Sequence, residues 1–455
     1  MAAPRRKSPR GGVGVISLGC PKNLVDTEGM LGRFRAQGHP IVHDPHQADI
    51  LLVNTCGFIA DAEEESRQAI AELAAIKAAH PGKTLVVTGC LAQRKPAELL
   101  ADYPQIDLVL GSGQYDRLIP ILESRPVAEQ RNQVALPTDS IHAGPPRVLA
   151  TAGHTAYLKI AEGCDNPCAF CIIPRLRGPF RSRHPDALVD EARTLVAGGV
   201  RELNLISQDT TLYGRDLDPR TSLAALLPRL AEQAAPPWIR LLYLYPTLLG
   251  ESLLDVMAGT PGVLPYLDLP LQHAHGDTLK RMRRAERPEN MRLLLERIRR
   301  YLPHAVIRTT FIVGFPGETE AEFAELERFV EEAQFDHVGV FCYSDEVEAP
   351  AHLLPGKVDA ALAEERRDRL MLRQRDISEK RLAAWVGREV PLLVDGWDED
   401  GEQWLCRTPG QAPEVDGVTL VNGEWDLRPG DLFTARITDA GIYDLWAEPL
   451  APEEP

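Results

Sequence analysis

The chain lacks any apolar run long enough to cross a bilayer, and its basic first twelve residues lack the hydrophobic stretch of an export signal. Both absences argue for a cytoplasmic protein, and the basic start reads as a disordered, solvated arm. Disulfide staples are improbable in that reducing compartment, so the eight cysteines point to metal or redox chemistry. A surplus of positive charge is missing too. The formal net charge is −16, which disfavours wholesale binding to nucleic acid. What is there is 455 residues of ordinary apolar content, enough for about two to four domains.

The densest chemical signal is Cys164-Asp165-Asn166-Pro167-Cys168-Ala169-Phe170-Cys171, directly after the strand-like run Tyr157-Leu158-Lys159-Ile160. A zinc knuckle wants a fourth ligand nearby, and the next histidine, His184, lies beyond an arginine-rich run. A cubane iron–sulfur cluster takes four ligands, usually thiolates, so a loop supplying three leaves one iron open. The amino and carboxylate groups of S-adenosylmethionine (SAM) can chelate that iron, and an injected electron then splits the sulfonium. Phe170, before the third cysteine, suits packing against a bound adenine. The loop therefore reads as a radical-SAM cluster site held by Cys164, Cys168 and Cys171.

Residues 13–125 read as a doubly wound α/β domain. Three apolar runs, at residues 13–19, 48–55 and 83–89, have the continuous hydrophobicity of buried parallel strands. Helical stretches such as residues 61–79 separate them. The runs end in Cys20, Cys56 and Cys90, 36 and 34 residues apart. Ligands of such sheets bind at the carboxyl ends of the strands. One thiol there would be an ordinary core cysteine, but three at equivalent ends read as a second three-cysteine cluster. Its free iron would be available to sulfur. Cys342 and Cys406 have no partner spacing and read as structural.

After a connection at residues 136–153, residues 150–382 alternate strands and helices again. Strand candidates lie at 201–207, 238–243, 266–269, 305–313 and 335–343. Six βα units fall short of a closed barrel's eight, so an open, partial (β/α)6 barrel is expected, with the cysteine loop after its first strand. Three strand ends carry polar or glycine-rich signals: Ser207-Gln208-Asp209, Gln272-His273, and Gly314-Phe315-Pro316-Gly317-Glu318. Gln208 and Gly314 are the cofactor-binding candidates, although Gly-Phe-Pro-Gly is also an ordinary turn composition. His273 and His275 read as exposed loop residues. The run Arg175, Arg177, Arg181 and Arg183 fits a solvated or structural face as well as an anion site. A charged helix from residue 359 to about 384 reads as packing and spacer.

Residues 383–450 change to short strands punctuated by Asp-Gly, Asn-Gly and Pro-Gly turns. A small five-stranded barrel of the oligonucleotide/oligosaccharide-binding type is expected. Residues 383–455 hold 4 Arg, no Lys and 16 Asp plus Glu, a balance of −12. Phosphate neutralisation needs Lys and Arg. Such a barrel would repel bare RNA and attract a basic surface such as a ribosomal protein, unless its charge serves solubility alone.

With these residues in hand, the chain resembles the radical-SAM methylthiotransferase family over nearly its full length. That family has an N-terminal three-cysteine α/β domain, a radical-SAM partial barrel and a C-terminal TRAM barrel. The resemblance is strongest to the branch that modifies an aspartate of small-subunit ribosomal protein S-twelve. It is carried by Ser17-Leu18-Gly19-Cys20-Pro21-Lys22-Asn23-Leu24-Val25-Asp26, by Leu203-Asn204-Leu205-Ile206-Ser207-Gln208-Asp209-Thr210, and by Ala412-Pro413-Glu414-Val415-Asp416-Gly417 with Tyr443-Asp444-Leu445-Trp446. The tRNA-modifying relatives typically have Gln and Met where this chain has Pro21 and Lys22, and their TRAM barrels tend to be basic.

The resemblance implies two 4Fe–4S clusters and SAM as cofactors. A radical made at the Cys164 loop would take hydrogen from the aspartate β-carbon. The Cys20, Cys56 and Cys90 cluster would handle sulfur, and a second SAM would supply the methyl group of 3-methylthioaspartate. A low-potential electron donor and a sulfur donor are implied partners, with tRNA and membranes disfavoured. Two rival classes stand beside it: a tRNA adenosine methylthiotransferase, and a non-catalytic iron–sulfur electron-transfer or binding protein.

Overall fold

A computed structural model describes residues 11–124, 131–137 and 147–450. Most of the basic arm and residues 138–146 of the connection lie outside that range. The chain groups into two compact units. The first holds residues 11–150 together with 161–165 and 172–183. The second holds residues 151–160, 166–171 and 184 onward.

In the first unit, β1 (Val13–Ser17), β2 (Ile50–Thr55), β3 (Thr84–Gly89), β4 (Leu108–Leu110) and β5 (Asn132–Gln133) form one parallel sheet in that order. Alternate side chains of the same apolar runs feed two cores. Leu51, Val53, Leu85 and Val87 pack with Ile70 and Leu73 of the helix α2 (Ala60–Ala79). Val13, Leu52, Val86 and Leu108 pack with Met30 and Phe34 of the helix α1 (Pro21–Ala36). Helices thus cover both faces, as expected of a doubly wound domain. Ile41, following α1, makes a parallel bridge to the outer edge of β1. The chain therefore winds outward after β1 and returns inward to β2. Sheets of this kind take their ligands at the carboxyl ends of the strands, which for β1 and β2 are followed by Cys20 and Cys56.

In the second unit, six parallel strands lie side by side in chain order: Thr155–Lys159, Glu202–Ile206, Trp238–Leu241, Val263–Gln272, Val306–Val313 and His337–Cys342. The sheet is open, giving the partial (β/α)6 barrel. Helices between the strands begin at explicit stops. Thr319 and Glu322 close a capping box on Glu320–Ala333, and Asp359 caps the long helix Ala360–Ala383 through Ala361 N–H. The strands Glu389–Asp398, Gln403–Arg407, Thr419–Asn422, Leu432–Ala440 and Leu445–Pro449 close into a five-stranded barrel. Among the described residues, no helix is long and apolar enough to cross a membrane.

The small barrel is fastened to the amino-terminal halves of the parallel strands by buried charge. Arg407 pairs with Glu202 at 2.7 Å and with Asp395 at 2.6 Å. Asp416 accepts from the Tyr266 hydroxyl at 2.6 Å and lies 3.5 Å from Arg308. Burial alone would raise the Glu202 carboxyl, but Arg407 and Arg240 outweigh it and hold that group below the usual carboxylate range.

Candidate metal centres

The first centre is built where β1, β2 and β3 end. Cys20 precedes α1, Cys56 follows β2, and Cys90 follows Gly89 at the end of β3. Glycines bring the thiols together. A Cβ on Gly19 would stand 2.9 Å from Cys56 Sγ, and one on Gly89 would stand 2.4 Å from Thr55 O. Both glycines have positive φ, a region that side chains rarely adopt. Cys20 is exposed and Cys90 buried. Burial pushes the Cys90 thiol up to about 11, against the pull of Arg177. Cys56 is raised by burial as well, and both thiols feel the charge of Cys20, so the three sulfurs form one electrostatic group.

Asn23, on the first turn of α1, ties this edge together. Its Nδ2 donates to Leu18 O and Thr55 O, each at 2.9 Å. Its Oδ1 accepts from Arg177. Sequence reasoning left Arg177 undecided between a solvated face and an anion site. The structure buries it to 2 % exposure and aims Nη2 at Cys90 Sγ, 3.4 Å away.

The second centre is the cysteine loop. At its start Cys164 is buried, and its N–H donates to Gly178 O at 3.2 Å. Asp165 accepts from Phe180 N–H at 3.0 Å. A Cβ on Gly163 would lie 2.0 Å from Pro179 O, so only glycine fits that approach. Further along, Asn166 donates to Asp209 at 2.8 Å, which ties the loop to the strand end carrying Gln208. Ala169 N–H donates to Met282 O, and Ala169 O accepts from Ala351 N–H, both at 2.8 Å. Phe170 packs against the cluster of Ala169, Met282, Phe315 and Ala351, which brings it beside the Gly314 loop. Gly314 itself has a packing reason, because a Cβ there would stand 2.5 Å from Ala363 Cβ.

Sequence reasoning missed Arg284. Its Nη1 lies 3.8 Å from Cys168 Sγ, Nη2 binds Glu286 at 2.6 Å, and the guanidinium stacks 4.2 Å from the Tyr245 ring centroid. A buried arginine with a thiol, a carboxylate and a ring as partners leaves no trace in local spacing. His273 corrects an expectation. It is fully buried rather than an exposed loop residue, because the strand Val263–Gln272 runs on to the residue before it. Burial depresses its imidazole to about 3, so the ring is neutral, and Nδ1 accepts from His275 N–H at 3.0 Å. His275, Asp277 and Glu322 converge nearby, but Arg281 binds Glu322 through two hydrogen bonds and supplies the cation. All eight cysteines are free.

Soft thiolates in sets of three, with no carboxylate among them, suit iron–sulfur chemistry, and the loop and strand order define a radical-SAM class of protein. Residues 12–111 match the family described as UPF0004, residues 158–330 the Radical SAM superfamily and residues 386–450 the TRAM domain. The chain belongs to the ribosomal protein uS12 methylthiotransferase family. It is 47% identical over 97% of its length to the protein named ribosomal protein uS12 methylthiotransferase RimO of Solibacter usitatus (strain Ellin6076), covering 96% of that protein. The protein of that name from Trichlorobacter lovleyi is 46% identical over 96% of this chain and 97% of its own. The radical S-adenosylmethionine methyltransferase TsrM from Kitasatospora setae, solved with cobalamin and a 4Fe–4S cluster bound, aligns with a TM-score of 0.55 at 16% identity, over 74% of this chain and 76% of its own. At that identity the likeness shows the fold alone.

Proposed function

We propose that this chain is a radical-SAM methylthiotransferase that puts sulfur and a methyl group on the β-carbon of an aspartate of ribosomal protein uS12. The observation that carries this reading is the pair of separate three-thiol sets, one at the carboxyl edge of the first sheet and one after the first strand of the partial barrel. Cys164, Cys168 and Cys171 would hold the SAM-binding cluster, and Cys20, Cys56 and Cys90 the second. When bound, these groups and SAM supply the radical, the sulfur and the methyl group, chemistry that acid–base side chains lack.

The chain's own residues supply placement. Asp165 holds the start of the loop through Phe180 N–H, and Asn166 and Ala169 hold its remainder through Asp209, Met282 and Ala351. Phe170 would lie against the adenine, with Gln208 and the Gly314 backbone framing the ligand. Burial raises the Asp209 carboxyl despite the hydrogen bonds it accepts from Thr211 and Asn166. Arg284 places a fixed positive charge at Cys168. The domains proposed are 13–125, 150–382 and 383–450.

The substrate assignment rests on the relatives' names and on the acidic C-terminal barrel, which disfavours tRNA. A ribosomal substrate supports a cytoplasmic location. A low-potential electron donor and a sulfur donor complete the reaction's needs. Mass spectrometry of uS12 treated anaerobically with the reconstituted enzyme, SAM, reductant and sulfide tests the reading. A mass gain of one methylthio group on an aspartate is expected. An unmodified uS12 alongside methylthiolated tRNA would overturn it.

A further inference from the structure

We propose that Arg177 is the positioning residue of the Cys20, Cys56 and Cys90 centre, setting the reduction potential of the iron–sulfur group held there. The inference rests on the reading that those thiols hold such a group. Arg177 ends the short helix Ile173–Arg177, where Gly178 turns the chain at φ 72°. Its Nη1 donates to Asp26 Oδ2 at 2.6 Å and Glu162 Oε2 at 3.3 Å. Its Nη2 donates to Asn23 Oδ1 and to Cys90 Sγ. Asp26, Glu162 and Cys90 are themselves buried.

A guanidinium serving only as a fold tie would be closed by its carboxylates. Here one nitrogen faces them and the other faces the ligand sulfur, in the flat fork that arginine alone provides. Asn23 holds that second nitrogen in place and is itself fastened to the ends of β1 and β2. Cluster potentials follow local charge, hydrogen bonds to sulfur and solvent exposure. Reduction adds one electron, so a cation on the ligand sulfur favours the reduced form and raises the midpoint. Asp26, touching the same guanidinium, opposes that effect.

The two residues therefore predict opposite shifts. Cys164, Cys168 and Cys171 are first replaced together by Ala, leaving only this centre, and the protein is reconstituted and its iron counted. Midpoints are read by electron paramagnetic resonance during titration with dithionite. Arg177→Gln is expected to lower the midpoint and Asp26→Asn to raise it, with Arg177→Lys between Arg177→Gln and the parent. Asp26→Asn keeps the arginine and nearly the same shape, so it decides the matter if Arg177→Gln does not fold. Unchanged midpoints, or shifts of the same sign, overturn the role of Arg177 and leave the cluster reading standing. A parent that folds but binds no iron overturns the cluster reading and this inference with it.

Discussion

Replacing Arg407 by Met probes the polar joint between the small barrel and the parallel strands. Arg407 is 2 % exposed and serves Glu202 and Asp395, with further bonds to Gln411 O and Thr155 Oγ1. Removing one partner of a buried ion pair costs roughly 3–5 kcal/mol, because a charge is left uncompensated. Glu202 keeps Arg240 at 2.8 Å and Asp395 keeps His154 at 2.9 Å, which places the loss near the lower end, about 3 kcal/mol. That is about two orders of magnitude in an opening equilibrium. A protein of several domains does not unfold in one step. The assay is therefore native-state hydrogen exchange at the amides of Gln403–Arg407 and Glu202–Ile206, read as local opening. Adding Asp395→Asn removes the carboxylate stranded by the loss of Arg407 while Glu202 keeps Arg240, and should return part of the protection. Protection unchanged in Arg407→Met, or a double variant no better than the single, would refute the account.

Glu318 gives a pH test: burial, only partly offset by Arg366, raises its carboxyl to about 7. Between about pH 4.5 and 7 the folded state binds the extra proton, so this group's contribution falls by about 3 kcal/mol as pH rises through that window. Glu318→Gln should flatten the pH dependence of local opening around Glu318, read by hydrogen exchange corrected for intrinsic rates, and an unaltered slope would count against the burial argument. Gly89→Ala forces a side chain into a positive-φ position and against Thr55 O, so it should cost more than about 1 kcal/mol and lower iron at the N-terminal centre; normal iron content and stability would contradict that geometry. Charge reversal at Glu399 and Asp400 should slow uS12 association and weaken its salt dependence while leaving SAM cleavage without substrate intact. Asp398 is spared because it accepts from Asp400 N–H and holds the turn. Equal association rates would remove the barrel's charge from recognition.

The elements legible in the sequence were those whose cause is local. Val13, Leu52 and Val86 sit in apolar runs because parallel strands bury both faces, and the thiols follow at the ends of those runs. The Cys164 loop is a contiguous ligand set, so its spacing alone carried the chemistry. Arg177 was not legible, because Asp26 lies 151 residues away and Cys90 lies 87 away. An arginine in a basic run looks the same whether its partners are solvent or buried acids. His273 failed for a related reason. A strand longer than the apolar pattern placed its side chain inside, and burial then removed its charge.

The stretch Ala412-Pro413-Glu414-Val415-Asp416-Gly417 carried the resemblance without a visible reason, and the structure supplies one. Asp416 accepts from Ala412 N–H at 2.8 Å, which curls the segment, and presents its carboxylate to Tyr266 and Arg308. Arg240, stacked 4.6 Å from the Tyr266 ring centroid, donates to Pro409 O at 2.8 Å in the same layer. These contacts lie toward the amino ends of the parallel strands, whereas Cys168 and Cys171 belong to the loop beyond a carboxyl end. The acidic barrel is therefore anchored at the end of the sheet away from the proposed centre at Cys168 and Cys171. A partner docked on its charge would have to extend to the other end of the sheet to present an aspartate to that proposed centre. That separation favours an extended protein surface over a small ligand, and it is why charge on the barrel should act on encounter rather than on the bond-making step.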